Sequence, residues 1–417
     1  MKGFKLMADI RAFAAYRPRE DVASKVAALP YDVYNSKEAR AEVEREPMSF
    51  LAIDRPETQF PPEYDMYSEE VYQKAHDMLW EKIEEGVFVH EEKPCYYLYE
   101  QTMDGRVQTG IVACSSVKDY ENNVIKKHEN TLAKKEADRI HHVDTCNAQT
   151  GPIFLCFREN GDIREIMERV RNTTSPVYDF YTKDNVRSRV FIIDSEEDII
   201  KIRDAFLSMD SIYIADGHHR CASAVKVAKK RKESDPNPTG NKEYDFFLSV
   251  LFPDSELMIM DYNRVIKDLN GLSSEEFINK IQEKFDVISE NKAVKPSKKY
   301  EMGMFLDGKW YKLTAHDDIK SEDAVDGLDV SILQNNVLTP ILNISDPKND
   351  PRIDFVGGIR GLEELERRCH ADMCLAFSMY PTDIHELFAV ADAGRLMPPI
   401  STWFEPKLLS GLFIHVF

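Results

Sequence analysis

Ile212-Tyr213-Ile214-Ala215-Asp216-Gly217-His218-His219-Arg220 is the stretch from which the rest of the chain can be read. Its apolar start predicts a short buried strand, Asp-Gly predicts a turn, and residues from about His219 to Lys232 predict a helix. A strand running straight into a helix leaves the first backbone N–H groups of that helix facing open space. The positive end of the helix dipole lies there too, so an anion is favoured before any side chain is counted. Gly217 lets backbone approach a ligand closely. His218, His219 and Arg220 add donors, and a guanidinium grips a phosphate in bidentate fashion. His219, Ser223 and Lys226 fall on one helical face at i, i+4 and i+7. The plain alternative is a capped helix with polar histidines on its surface. Two adjacent histidines and an arginine at one helix start favour a phosphate site formed by Asp216, Gly217, His218, His219 and Arg220. A metal held by His218 and His219 fits less well, because adjacent residues on a helix point in different directions.

Outward from this stretch, the pattern is one of alternating strands and helices. Ile153–Phe157 and Arg189–Ile193 predict strands before it, and Phe246–Phe252 and Leu257–Met260 predict strands after it. Lys229, Lys230, Arg231 and Lys232 place positive charge in the last helical turn, where it complements the dipole. Further upstream, Pro30–Tyr34 predicts extended chain, and Asn35 with Glu38 predicts a capping box for a helix that Pro47 must end. Val71, Ala75, Met78, Leu79 and Ile83 repeat at helical spacing over residues 64–85, with Gly86 as the stop. Met103-Asp-Gly-Arg106 and Asp307-Gly308 predict hairpin turns, and Ser273 with Glu276 a second capping box. An α+β unit begins near residue 255.

The 417 residues carry 73 acidic and 54 basic side chains, a formal charge of −19. Affinity for duplex DNA comes largely from Lys and Arg on phosphates, so a nucleic-acid partner is not expected. Nothing approaches the roughly 18 uninterrupted apolar residues that would span a bilayer. The opening Met1–Asp9 lacks the features of an export signal, so a cytoplasmic location with no membrane partner is expected. The seven cysteines lie mostly in apolar runs and predict buried thiols. Cys369, His370 and Cys374 have the wrong spacing for a standard zinc finger.

Gly217-His-His-Arg220 resembles the Gly-Cys-His-Arg loop of sulfiredoxins and the Gly-x-Arg-Arg loop of ParB-type nucleotide-binding domains. It resembles most closely the Asp-Gly-His-His-Arg loop of free serine kinases built on that fold. Over nearly its full length the chain is also similar to the bacterial and archaeal family called domain of unknown function 1015. The hallmarks of that family stand here as Pro30-Tyr-Asp-Val33, His128-Glu-Asn-Thr131, Ala215–Arg220 and Met397-Pro-Pro-Ile-Ser-Thr-Trp-Phe-Glu-Pro-Lys-Leu-Leu-Ser-Gly411.

The resemblance implies a ParB/sulfiredoxin-like α/β part over residues 1–254 and an α+β part over residues 255–417. The sulfiredoxin nucleophile would fall at His218, which has no thiol, so that activity is not expected. In the serine kinases the loop holds nucleotide phosphates and an acid elsewhere deprotonates the serine hydroxyl. That acid is expected at Glu129, where Lys126, Lys127 and His128 keep a carboxylate ionised. Glu129 and His219 are thus the expected catalytic residues. Glu136, Asp138 and Arg139 are alternatives, and Asp32 and Asp54 are further acids. Lys407 or Ser401, in the rigid aromatic segment near the C-terminus, is a candidate to reach a substrate cleft. The implied activity is phosphoryl transfer between a nucleotide, ATP or ADP with Mg²⁺, and free serine or phosphoserine. A phosphatase or nucleotidase would use the same residues, and a nucleotide-binding regulator would bind without turnover. The oligomeric state stays open.

Overall fold

The computed structural model describes residues 7–131 and 133–417. The expectation drawn from the opening residues falls largely on Met1–Leu6, outside the described residues.

Local signals explain many of the element ends. Asn35 Oδ1 accepts the Glu38 N–H at 2.9 Å and Glu38 Oε2 accepts the Asn35 N–H at 3.0 Å, opening the helix Ser36–Arg45. Ser273 and Glu276 cap Ser274–Ile281 in the same reciprocal way. Asp104 and Gly105, at φ 51° and 78°, and Asp307 and Gly308, at 48° and 73°, make the two hairpin turns. Positive φ at both central residues matches the twist of the flanking strands. Two expectations differ from what is found. Tyr31–Val33 is a 3₁₀ turn and not extended chain, and Arg55 Nη1 holds it by donating to the carbonyls of Tyr31 and Tyr34 at 3.1 and 2.8 Å. The helix expected over 64–85 starts only at Glu69, because Asp65 Oδ1 accepts the Tyr67 N–H and ties the preceding residues into a turn.

By its contacts the chain divides into two units. The first takes Met1–Lys127, Thr131–Leu257 and Pro406–Phe417. Its main sheet contains β1 (Ile10–Arg11), β2 (Tyr96–Met103), β3 (Arg106–Ser116), β4 (Ile125–Lys126) and β5 (Ile153–Phe157). It continues with β6 (Tyr178–Tyr181), β7 (Arg187–Ile193), β8 (Ile212–Asp216) and β9 (Phe246–Pro253). Their order is β4-β8-β5-β9-β3-β2-β7-β6, with β1 beside β3. The sheet is mixed: β8 runs parallel to β4 but antiparallel to β5, and β5 runs parallel to β9.

Five longer helices belong to this unit: α1 (Glu69–Glu84), α2 (Ala133–Cys146), α3 (Gly161–Thr173), α4 (Glu196–Leu207) and α5 (His218–Ser234). Alternation along β2 sends Tyr96 and Leu98 to one face, into a core with Ile163, Met167 and Val170 of α3 and Ile202 and Phe206 of α4. Tyr97 and Tyr99 point the other way and meet Phe413, with ring centroids 5.0 and 6.1 Å apart. His415–Val416 also pairs with Ala148–Gln149, and Ile414 bridges Tyr16. These contacts group Pro406–Phe417 with the first unit, whereas the sequence reading counts it in the C-terminal part. Helix α5 lies against α2, and α2 against α1.

The second unit takes His128–Asn130 and Met258–Glu405. Its sheet contains β10 (Tyr262–Ile266), β11 (Phe285–Glu290), β12 (Glu301–Leu306), β13 (Lys309–Ala315), β14 (Ile353–Gly357) and β15 (Leu375–Met379). The order is β11-β13-β12-β15-β10-β14, antiparallel throughout. Val265, Phe305, Trp310 and Val356 pack there against Leu365 of the helix Leu362–Ala371. The fold is α/β in the first unit and α+β in the second. Five cysteines are buried, and Cys369 and Cys374 are half-buried. Among the described residues, no helix is long and apolar enough to cross a membrane.

Candidate functional site

Strand β8 is buried from Ile212 to Ala215 and delivers Asp216 to its end. Gly217 follows at φ 89°, ψ 31°, a left-handed conformation that costs glycine little, and the seventeen-residue helix α5 begins at once. A Cβ at Gly217 would lie 3.2 Å from Arg220 Nε, so the missing side chain also makes room for the guanidinium. Asp216 Oδ1 accepts the Gly217 N–H at 2.7 Å, and Oδ2 accepts from Lys407 Nζ at 3.0 Å. Burial alone would raise the Asp216 carboxyl, but Lys407 and Arg220 hold it well below the usual carboxylate range. Its side chain keeps a third of its accessible area while protein surrounds it densely. Arg220 Nη1 donates to the Pro152 carbonyl at 2.7 Å, which aims the guanidinium across the mouth of the turn.

The expected face of His219, Ser223 and Lys226 is engaged within the fold. Ser223 Oγ donates to the His219 carbonyl at 2.7 Å, and Lys226 Nζ donates to the Glu136 carboxylate on α2. Glu136 is therefore an ion-pair partner, held below the usual range against its burial by Lys226. His218 is buried and His219 half-buried in the first turn.

Two adjoining cavities lie in the same unit. The narrower, about 30 Å³, is lined by Tyr31, Asp54, Arg139, His142, Thr150 and Arg220 among others. The larger, about 350 Å³, has Tyr31, Asp32, Met66, Tyr67, Tyr72 and Asp138 on its walls. Tyr31 and Arg139 line both. Arg139 stacks over the Tyr31 ring at 4.0 Å and pairs with Asp138 at 2.8 Å, and Tyr72 donates to the same carboxylate at 2.9 Å. Burial would raise Asp138, but Arg139 and Tyr72 hold it below the usual range. Burial pushes the Tyr31 hydroxyl up to about 12. Thr150 Oγ1 donates to Asp54 Oδ1 at 2.8 Å. His142 Nε2 lies 2.8 Å from the Ile53 carbonyl and so carries its proton there. Burial, and then Arg139, pushes His142 below the ordinary imidazole range, which favours the neutral ring.

The structure thus brings Asp216, Gly217, His218, His219 and Arg220 together at one helix start, with Lys407 on Asp216. It also places Asp32, Asp54, Asp138 and Arg139 along the two cavities. Glu129 and Ser401 fall in the second unit. Glu129 Oε1 accepts the Ile400 N–H at 3.4 Å, and the neighbouring His128 carbonyl accepts the Met397 N–H at 2.9 Å. Ile400 has φ 60°, a strained value for a β-branched residue. Arg264, buried on β10, donates to the carbonyls of Tyr262 and Ile400, the latter at 3.0 Å. Burial pushes its guanidinium down to about 10, and no carboxylate pairs with it among the described residues. Thr150 and His142 carry no motif of their own in the sequence.

Among solved structures, the chain is similar to a free serine kinase in complex with AMP, at 13% identity and TM-score 0.36, over 71% of this chain and 86% of that one. It is similar to a C-terminally truncated SbnI from Staphylococcus aureus at 10% identity and TM-score 0.38, covering 72% and 85%. A conserved hypothetical protein from Pyrococcus furiosus is similar at 14% identity and TM-score 0.35, covering 73% and 95%. No curated protein matches. The sequence profile described as Protein of unknown function (DUF1015) matches residues 10–331, a span that takes in Tyr31, the α2 arginine and the Asp216–Arg220 turn, and the chain belongs to that family.

Proposed function

We propose that the protein is a phosphotransferase that moves a phosphoryl group between a nucleotide and the hydroxyl of free serine, or runs the reverse reaction from phosphoserine. The observation that carries this reading is the turn at Asp216–Arg220. A left-handed glycine opens a long helix there, and Arg220, His218, His219 and Lys407 supply positive charge or donors. Phosphoryl transfer needs mainly positioning and charge neutralisation, and this arrangement supplies both. The resemblance of the Asp-Gly-His-His-Arg loop to that of free serine kinases supports the choice of acceptor.

In this reading His219 and Arg220 bind the transferred phosphoryl group. Lys407 fixes Asp216 so that its carboxylate caps Gly217 and does not repel the ligand. Glu129 is the proposed base for the serine hydroxyl. Among the described residues, no three His, Cys, Asp or Glu side chains converge into a metal cage. Mg²⁺ would accompany ATP or ADP, as the resemblance to the serine kinases implies, and would help neutralise phosphate charge.

Phosphorus NMR on pure protein with ATP or ADP, serine and phosphoserine tests the proposal. Transfer predicts a serine-dependent phosphomonoester signal, or nucleotide phosphorylation from phosphoserine. Release of inorganic phosphate without serine dependence would make the protein a phosphatase or nucleotidase. Nucleotide binding without any new signal would make it a regulator.

A further inference from the structure

We propose that the 350 Å³ cleft is the subsite for the nucleoside end of the nucleotide, with Tyr67 and Met66 against the base and Asp32 at the ribose hydroxyls. The phosphotransferase reading enters only in supplying a nucleotide as ligand.

Size is the first argument. Pockets for small organic ligands begin near 300 Å³, so this cleft suits a nucleoside and is several times too roomy for serine. Chemistry is the second. A free amino acid needs an unengaged cation for its carboxylate, yet both arginines on these walls are engaged. Arg139 pairs with Asp138 and Arg55 Nε donates to Glu57 at 2.5 Å. Tyr72 donates to Asp138 as well. What the walls offer a ligand is aromatic and thioether surface, which suits a flat heterocycle.

Asp32 supplies the third argument. It stands exposed after the Tyr31 turn, and its carboxylate accepts no hydrogen bond among the described residues. A carboxylate beside a sugar is the usual acceptor for ribose hydroxyls. The last argument is direction. Tyr31 and Arg139 line both this cleft and the narrow cavity, whose lining also includes Arg220. A nucleoside in the cleft would therefore send its phosphates toward the side of Arg139 that faces Arg220.

Calorimetry on the full chain with AMP, adenosine, 2′,3′-dideoxyadenosine and inorganic phosphate tests this. Tyr67→Ala should weaken AMP and adenosine about five- to hundredfold, the usual range for removing a stacked aromatic, and leave inorganic phosphate unchanged. Asp32→Asn, an exposed isosteric change that spares the fold, should weaken both about tenfold and abolish the preference for adenosine over its dideoxy form. Unchanged AMP affinity in both variants would overturn the subsite, as would weakened binding of serine and not adenosine. Turnover with AMP binding independent of Tyr67 and Asp32 would sink the subsite and spare the phosphotransferase reading. Binding that depends on both residues, without turnover, would do the reverse. A wild-type protein that binds neither AMP nor adenosine would overturn the subsite outright.

Discussion

Gly217 and Ile400 both sit at positive φ, and they arrive there by opposite means. Gly217, at 89°, has no Cβ to resist the conformation, and strand, turn and helix follow from adjacent residues. Ile400, at 60°, is β-branched and pays about 1–3 kcal/mol for that geometry. Its carbonyl accepts from buried Arg264 and its N–H from the other side faces Glu129. The first turn is a property of its own sequence. The second is held by residues far away in the chain.

If the phosphate turn binds and Glu129 is the base, the two roles can be separated by substitution. The largest effect should come from Glu129→Gln, which keeps an acceptor for the Ile400 N–H but loses the basic oxygen. Turnover should fall about 10²–10⁴-fold while nucleotide affinity by calorimetry stays within a few-fold. Equal loss of both would erase the division of labour, and unchanged turnover would pass the role to another acid, with Glu136 and Asp138 next to test.

Arg220→Ala should act on the opposite side of the comparison. Loss of a charge-assisted contact costs about 1.5–3 kcal/mol, so affinity for nucleotide should drop about ten- to hundredfold with the melting temperature little changed. His219→Ala should fall in the same range. Normal binding in both would remove the phosphate site.

The smallest pair of effects tests the backbone itself. Gly217→Ala forces a Cβ to 3.2 Å from Arg220 Nε at positive φ, and should cost about 1–2 kcal/mol of stability as well as phosphate affinity. Ile400→Gly relieves strain but loosens the unfolded chain, so denaturant melts should agree within about 1 kcal/mol of the parent. A large loss of stability there would show that the Ile400 side chain, and not its neighbours, holds the loop.

Short-range chemistry was legible in the sequence. Asn35 with Glu38, Ser273 with Glu276, and the Asp-Gly hairpin turns each depend on residues no more than three apart, and β8 running through Gly217 into α5 is equally local. Tyr31–Val33 was misread because Arg55, more than twenty residues on, curls it into a turn. The partners of the site were out of reach for the same reason. Asp216 meets Lys407 across 191 positions, and Arg220 meets Pro152 across 68. Periodicity carries no term for such pairings; only the assembled fold brings them together.

The return of Pro406–Phe417 to the first unit has a consequence for synthesis. A ribosome makes β8 and the Asp216–Arg220 turn long before it makes Lys407, and then builds most of the second unit in between. Until Pro406–Phe417 emerges, Tyr97 and Tyr99 lack Phe413 against their rings, and Asp216 lacks the ammonium that steadies its charge. A nascent chain arrested near residue 400 would therefore carry an open apolar face and an unfinished phosphate turn. The Asp216–Arg220 turn should take its final form only once Pro406–Phe417 docks.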